Sequence, residues 1–195
     1  RGSLASCRPA ATPRSFSVDL ERCTVRRPAG VRLDLGGIGK GLAADRIATG
    51  LVDRGAQSAC VSMGGDVRVA GIPPEGGWRI PVERPDRVGK GAAMPIWFDA
   101  VLDQGAVVTS TTRRRRWRTG DGGTAHHLID PRTGHPSPPG VTSVVVCAAE
   151  AWWGEVLAKA ALLAGPEEGR RLLSRHDATG WFDLDGTLEG AGAAV

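Results

Sequence analysis

Val31-Arg-Leu-Asp-Leu35, then Gly36-Gly-Ile-Gly-Lys-Gly41, then Leu42-Ala-Ala-Asp-Arg-Ile-Ala-Thr-Gly-Leu-Val52 is the stretch on which the fold turns. Its first five residues alternate apolar and polar, the pattern of a half-buried strand. The glycine run predicts a tight turn. Residues 42–52 predict a helix with Leu42, Ala43, Ile47, Leu51 and Val52 on one face. Backbone N–H groups at such a helix start suit an anionic phosphate, and Lys40 would add a mobile positive charge. A plain tight turn accounts for the glycines equally well. The stretch is not a Walker loop: position 34, five residues before Gly39, is Asp34, and neither Ser nor Thr follows Gly39-Lys40. Gly39-x-Gly41-x-x-Ala44 meets the loose dinucleotide fingerprint, a weak match in a chain with 28 glycines.

Outward from this unit, short strands mix with helices. Residues 17–20 and 23–25 read as short strands. Residues 59–63 lead through Gly64-Gly65-Asp66 into 67–70 as a hairpin. Residues 78–82, 96–102 and 106–110 are further strands, the last apolar enough to be central. Residues 85–95 read as a loop, 113–118 as an extended segment and 119–123 as a turn. Residues 141–148 form a β-branched strand and 150–163 a helix. A second helix over 166–175 opens on Pro166, Glu167 and Glu168, which suits a helix N-terminus. Residues 180–188 predict a hairpin around Asp185-Gly186. The pattern predicts a single α+β domain, a mainly antiparallel sheet with packed helices. The domain is expected over residues 26–190. Residues 1–25 then form a lead-in, mobile or the remnant of a missing N-terminal portion, and 191–195 a tail.

The chain has 195 residues, 41% of them hydrophobic, which is enough to build a core and excludes wholesale disorder. Its 25 basic and 21 acidic residues leave a net charge of +4. The lysines are Lys40, Lys90 and Lys159, and every other basic residue is arginine. That bias fits a GC-rich genome better than a nucleic-acid partner. No apolar run approaches the ~18–20 residues of a membrane span. Cys7, Cys23, Cys60 and Cys147 form no C-x-x-C pair and have no histidine at ligand spacing. Free thiols favour a cytoplasmic location. Cys60 and Cys147, in apolar runs, are expected to be buried.

Four further motifs carry candidate chemistry. Phe182-Asp183-Leu-Asp185-Gly-Thr187-Leu188 imitates an aspartyl nucleophile motif. It stands too near the C-terminal end of the sequence for the parallel sheet such enzymes need, so a hairpin is the better reading. Arg113-Arg-Arg-Arg-Trp-Arg118 could grip phosphates, but alternation on a strand splits its charge between two faces, which favours a solvated edge. Thr124-Ala-His-His-Leu-Ile-Asp-Pro-Arg-Thr-Gly134 combines a strand end, a turn and His127, expected to point inward, and is denser than turn chemistry requires. Glu155 and Lys159 stand at i, i+4 on a helix in the order that favours a salt bridge.

In combination these motifs resemble the FAD:protein FMN transferases, the ApbE-like family. Residues 34–41 resemble its D-L-G-x-I-x-K-G, and Ala44-Asp45 also fits. Ser62-Met-Gly-Gly-Asp66-Val-Arg-Val-Ala-Gly71 resembles N-x-G-G-D-I-R-x-x-G. Val108-Thr-Ser110 is similar to A-T-S, and His127-Leu-Ile-Asp-Pro-Arg-Thr-Gly134 to H-I-I-D-P-R-T-G. The resemblance runs in order over about residues 26–186. It implies a T-fold-like architecture and phosphoryl transfer, in which a threonine or serine hydroxyl of a partner protein attacks the FMN-side phosphorus of FAD and AMP leaves. By resemblance, Asp34, Gly37, Lys40, Gly64, Gly65, Asp66, Ser110 and Leu128 bind the flavin nucleotide. His127 is catalytic. The Gly37 carbonyl and Glu155 would face Mg²⁺.

Two departures bear on that expectation. Where the family has D-A-L-A-T, whose Asp and Thr ligate magnesium, this chain reads Glu155-Val-Leu-Ala-Lys159. A charged lysine is not a ligand, and its ammonium would weaken the metal site or take its place. Family members are also longer at the N-terminus, and Ser62 replaces an asparagine. The runner-up expectation is therefore an FAD-binding or degenerate relative without transferase activity. The resemblance implies a flavin nucleotide and a protein substrate as partners, no nucleic acid, and leaves open export or anchoring of family members.

Overall fold

The computed structural model of the chain describes residues 16–85, 95–137 and 140–191. The chain runs β1 (Ser17–Asp19), β2 (Thr24–Arg26), α1 (Gly39–Asp53), β3 (Ser58–Met63), β4 (Asp66–Gly71), β5 (Trp78–Glu83), β6 (Ile96–Leu102), β7 (Gly105–Thr111) and β8 (Arg116–Arg118). It continues with β9 (Thr124–His126), β10 (Ser143–Ala148), α2 (Ala151–Ala164), α3 (Pro166–Arg175), β11 (Thr179–Leu184) and β12 (Thr187–Ala191). Six strands make one sheet in the order β12-β11-β10-β7-β4-β3, every neighbouring pair antiparallel. The expected α+β domain with an antiparallel sheet is what forms.

Alternation along β10 explains the layering. Val144 and Val146 pack with Leu157, Ala158, Ala161 and Leu162 of α2 on one face. Val145 and Cys147 pack on the other face with Ile80 and Val82 of β5 and Ala100 and Leu102 of β6. The β5–β6 hairpin thus closes the face opposite the helices. Ala106 and Val108 of β7 meet Ala44 of α1 and Ala151 of α2.

Several local expectations are corrected. Residues 31–35 form no strand: Leu33 and Leu35 are exposed, and Asp34 accepts the Gly36 N–H at 2.7 Å in a turn of its own. Alternation alone makes no strand without a neighbour to bond. The buried face of α1 is Gly41, Ala44 and Ala48, while Leu42, Ile47 and Leu51 stay more than 40% exposed. The cause is the proximity of α2: a Cβ on Gly41 would lie 2.4 Å from the Ala151 carbonyl oxygen. Small residues therefore face the partner helix, against the hydrophobic pattern. Cys147 is buried as expected, but Cys60 is exposed, because Ala59 and Val61 take the packed face of edge strand β3. The expected lead-in up to residue 15, most of the 85–95 loop and Cys7 lie outside the described residues.

Gly64 and Gly65 connect β3 to β4 with φ of +62° and +95°, the two-residue turn whose twist matches a hairpin. Among the described residues no helix is long and apolar enough to cross a membrane.

Candidate active site

The site is built where α1 and α2 begin. Neither helix carries a side-chain cap of its own. Each is capped by the other. Asp45 of α1 accepts the N–H groups of Ala151 and Trp152, both at 2.9 Å. Glu155 of α2 accepts the Gly41 N–H with Oε2 at 2.9 Å. A carboxylate at a helix start satisfies orphan donors and meets the positive end of the dipole. Reciprocal capping locks the two starts together, and Arg68 adds an ion pair to Asp45 at 2.9 Å.

Glu155 is fully buried. Its second oxygen, Oε1, accepts from Lys159 Nζ at 3.0 Å and lies 3.7 Å from Lys40 Nζ. Lys40 also bonds Asp66 Oδ2, and Asp66 Oδ1 accepts the Thr109 N–H at 3.3 Å. Burial pushes the Asp66 carboxyl above its ordinary value, the Lys40 ammonium and the Thr109 N–H pull it back, and the Glu155 charge adds to the push. Two buried carboxylates and two ammoniums thus form one balanced cluster. Both lysine side chains keep contact with solvent, those of Lys40 and Lys159 being 41% and 22% exposed. The Lys159 stem passes beneath the glycine turn, its Cδ 3.8 Å from where a Cβ on Gly37 would stand. On the other side, Lys40 Cδ lies 3.6 Å from the corresponding point on Gly64.

His127 follows β9 and is open to solvent rather than turned inward as expected. Its neighbour His126 takes the structural part, with Nδ1 accepting the Leu128 N–H at 3.3 Å and Nε2 lying 3.4 Å from Ser137 Oγ. Partial desolvation lowers the His127 pKa, and the positive charges of Arg115, His126, Lys159 and Lys40 lower it further. The imidazole is therefore neutral at pH 7 and able to accept a proton.

Of the expected binding residues, Gly37, Lys40, Gly64 and Asp66 come together around the cluster, and Gly65 completes the turn beside Gly64. Asp34 stays exposed at the start of the glycine turn. Ser110 sits on the helix-facing side of β7, 5% exposed, its hydroxyl without a partner among the described residues. Leu128 is not brought to the site in the same sense. Its side chain is in the core, its N–H goes to His126 and its carbonyl accepts the Ser137 N–H.

Sequence reasoning missed Arg115. The β8–β9 register pairs Arg116 with His126, so the residue before Arg116 falls beside the residue after His126. The 119–123 turn between the two motifs was the available signal. The arginine run is thus not a uniform solvated edge, since Arg113 pairs with buried Asp183 at 3.2 Å.

The cluster does not fit a divalent cation held by Glu155. Both Glu155 oxygens already accept bonds, one of them from an ammonium. A divalent ion and that ammonium about 4 Å apart would repel by about 8 kcal/mol at an effective dielectric of ~20. Among the described residues no three His, Cys, Asp or Glu side chains gather as a metal-binding group.

An antiparallel α+β domain that gathers two lysines beside a glycine turn at two helix starts has the chemistry to receive an anion. The ApbE family model matches residues 3–182, and the chain belongs to that family. It is 29% identical over 166 residues to a FAD:protein FMN transferase of Klebsiella pneumoniae, covering 85% of this chain and 49% of the relative. It is 33% identical to the FAD:protein FMN transferase of Treponema pallidum, over 74% of this chain and 41% of that one. The fold superimposes on the ApbE protein of Thermotoga maritima with a TM-score of 0.75 and 30% identity, over 91% of this chain and 57% of that chain. The flavinyl transferase ApbE of Pseudomonas stutzeri gives 0.71 and 26%, over 93% and 58%. The chain spans about half the length of the curated relatives it matches.

Proposed function

We propose that this chain carries the transfer site of a FAD:protein FMN transferase. The observation that carries the reading is the convergence of four separate segments on one cluster: the glycine turn with Lys40, the Gly64-Gly65-Asp66 turn, His127, and Glu155 with Lys159. The first three bear the family's motifs, and the fourth stands where the family has D-A-L-A-T and departs from it. In the proposed step a threonine or serine hydroxyl oxygen of a partner protein forms a bond to the FMN-side phosphorus of FAD. The bond from that phosphorus to the bridging oxygen breaks, and AMP leaves with that oxygen. The hydroxyl proton passes to the neutral ring of His127. Lys40 and Lys159 offset the charge on the phosphates, and the buried hydroxyl of Ser110 offers a hydrogen bond to the bound nucleotide.

The test is incubation with FAD and a pool of threonine- and serine-containing peptides, followed by intact mass and nucleotide analysis. The expected result is a flavin-phosphate adduct on peptide with AMP released in equal amount. FAD held tightly but recovered intact would favour the second reading, a flavin-binding relative without transfer. The Lys159–Glu155 pair is the observation that speaks for that alternative, because it replaces the residues expected to hold magnesium.

A further inference from the structure

We propose that Lys159 is the resident cation of this site, so that the chain takes a pyrophosphate-bearing nucleotide without a divalent metal. The inference rests on the flavin-nucleotide reading above and deepens it. Three observations support it. The acid that would anchor a metal is saturated by protein donors: Gly41 N–H on one oxygen of Glu155 and the Lys159 ammonium on the other. The same lysine touches both groups the resemblance would turn toward a metal, its Nζ 3.0 Å from Glu155 Oε1 and its Cδ 3.8 Å from where a Cβ on Gly37 would stand. The cluster is also charge-balanced as it stands, Asp66 and Glu155 against Lys40 and Lys159, so no further cation is needed to fold it.

The two ammoniums retain capacity for a ligand. Each has three donors. Lys159 directs one to Glu155, and Lys40 directs one to Asp66. Both approach the same oxygen of Glu155, at 3.0 and 3.7 Å, which places them no more than about 7 Å apart. Two adjacent phosphoryl groups can bridge that spacing. Arg115 lies on the same side, by His127, and supplies further positive potential. A fixed ammonium is a weaker charge than a divalent ion, but it needs no ion from solution and is held at 3.0 Å by a buried acid whose other cation, Lys40, stands at 3.7 Å.

The experiment is flavin-fluorescence titration of the native full chain with FAD, once in EDTA and once in Mg²⁺, with Mn²⁺ binding followed separately by electron paramagnetic resonance. The expected result is equal FAD affinity in both buffers and no bound Mn²⁺. In the Lys159→Thr variant, FAD affinity in EDTA should fall about tenfold or more, the loss expected for a charge-assisted hydrogen bond, and Mg²⁺ should restore it. FAD binding by the native chain that requires Mg²⁺, or a bound Mn²⁺ signal, overturns this inference and leaves the flavin reading standing. No FAD binding in either buffer overturns the flavin reading and this inference with it. Should Lys159→Thr fail to fold, the native titrations decide.

Discussion

Two buried carboxylate clusters sit on this sheet and teach opposite lessons. Asp183 on β11 is fully buried, and every contact it makes closes it off. Arg113 Nε reaches it at 3.2 Å, Thr142 Oγ1 at 2.5 Å and the Gly186 N–H at 2.7 Å. Its counter-charge ties the arginine segment and the terminal hairpin to the sheet. Glu155 is equally buried, but its counter-charges are two lysines that still reach solvent beside a glycine turn. A buried acid whose cation is spent on holding chain segments together serves the fold. One whose cations keep open donors can serve a ligand. In the sequence the motif around Asp183 imitates a nucleophile but reads better as a hairpin, and Glu155–Lys159 reads locally as an ordinary helix pair that only the resemblance places at the site. The surroundings agree with the hairpin and with the site.

The largest test of this contrast is on the open side. His127→Ala should lower AMP release from FAD by about 10²–10⁴-fold, the usual contribution of a positioned proton acceptor. Its thermal melt should not move, because the ring is open to solvent. A variant that melts early yet turns over normally per folded molecule would make His127 structural.

Asp183→Ala should do the opposite. Removing one partner of a buried ion pair costs about 3–5 kcal/mol of stability. Urea unfolding should show that loss, while FAD affinity of the folded fraction stays at the native level. Weakened FAD binding in the folded fraction would erase the distinction between the two clusters.

How much of this was legible in the sequence depends on the range of the signal. The hairpins, β7, β10 and α3 were readable because local alternation, an Asp-Gly turn and an opening proline act over a few residues. The buried face of α1 was not, because closeness to Ala151 of α2, a hundred residues away, decides it. Residues 31–35 had the alternation of a strand and lacked only a partner, which no local pattern reveals. At the site, the motif residues were findable by resemblance, and the glycine turn, Lys40, Asp66 and Glu155 do come together. The resemblance did not show that Glu155 caps α1 or that Asp45 caps α2, since capping across two helices leaves no spacing to read. Leu128 shows the converse. A residue within a recognisable motif is occupied by the core and its own turn.

Asp45 lies between the two kinds of cluster, since it serves the fold by holding the helix start that carries Glu155. Asp45→Ala should cost about 1–2 kcal/mol, the upper range for a lost cap. Differential scanning calorimetry would show it. FAD affinity should fall with it, because Glu155 and Lys159 ride on the freed helix. A stability loss with unchanged FAD affinity would mean that α1 alone positions the cluster.

The smallest expected effect is a shift in titration, and it tests whether the open cations act on the reacting side chain. The His127 pKa is lowered from its ordinary 6.5, first by desolvation and then by the charges of Arg115, His126, Lys159 and Lys40. A depressed histidine pKa means that the folded state resists protonation. The associated stability is fully present above pH 6.5 and is lost as pH falls through the depressed value. Transfer that uses the neutral ring should rise with pH through that same depressed value and level off before pH 6.5. Lys159→Met removes one of the nearby charges and leaves the desolvation in place. The His127 titration followed by NMR should then move upward, toward but not reaching the ordinary value, with the acid limb of the transfer profile moving with it. His126 should move less, because its depression comes from desolvation and Arg116. An unmoved His127 titration would place the Lys159 charge out of electrical reach of the imidazole. The open cluster would then be two independent halves, one that holds phosphate and one that moves a proton.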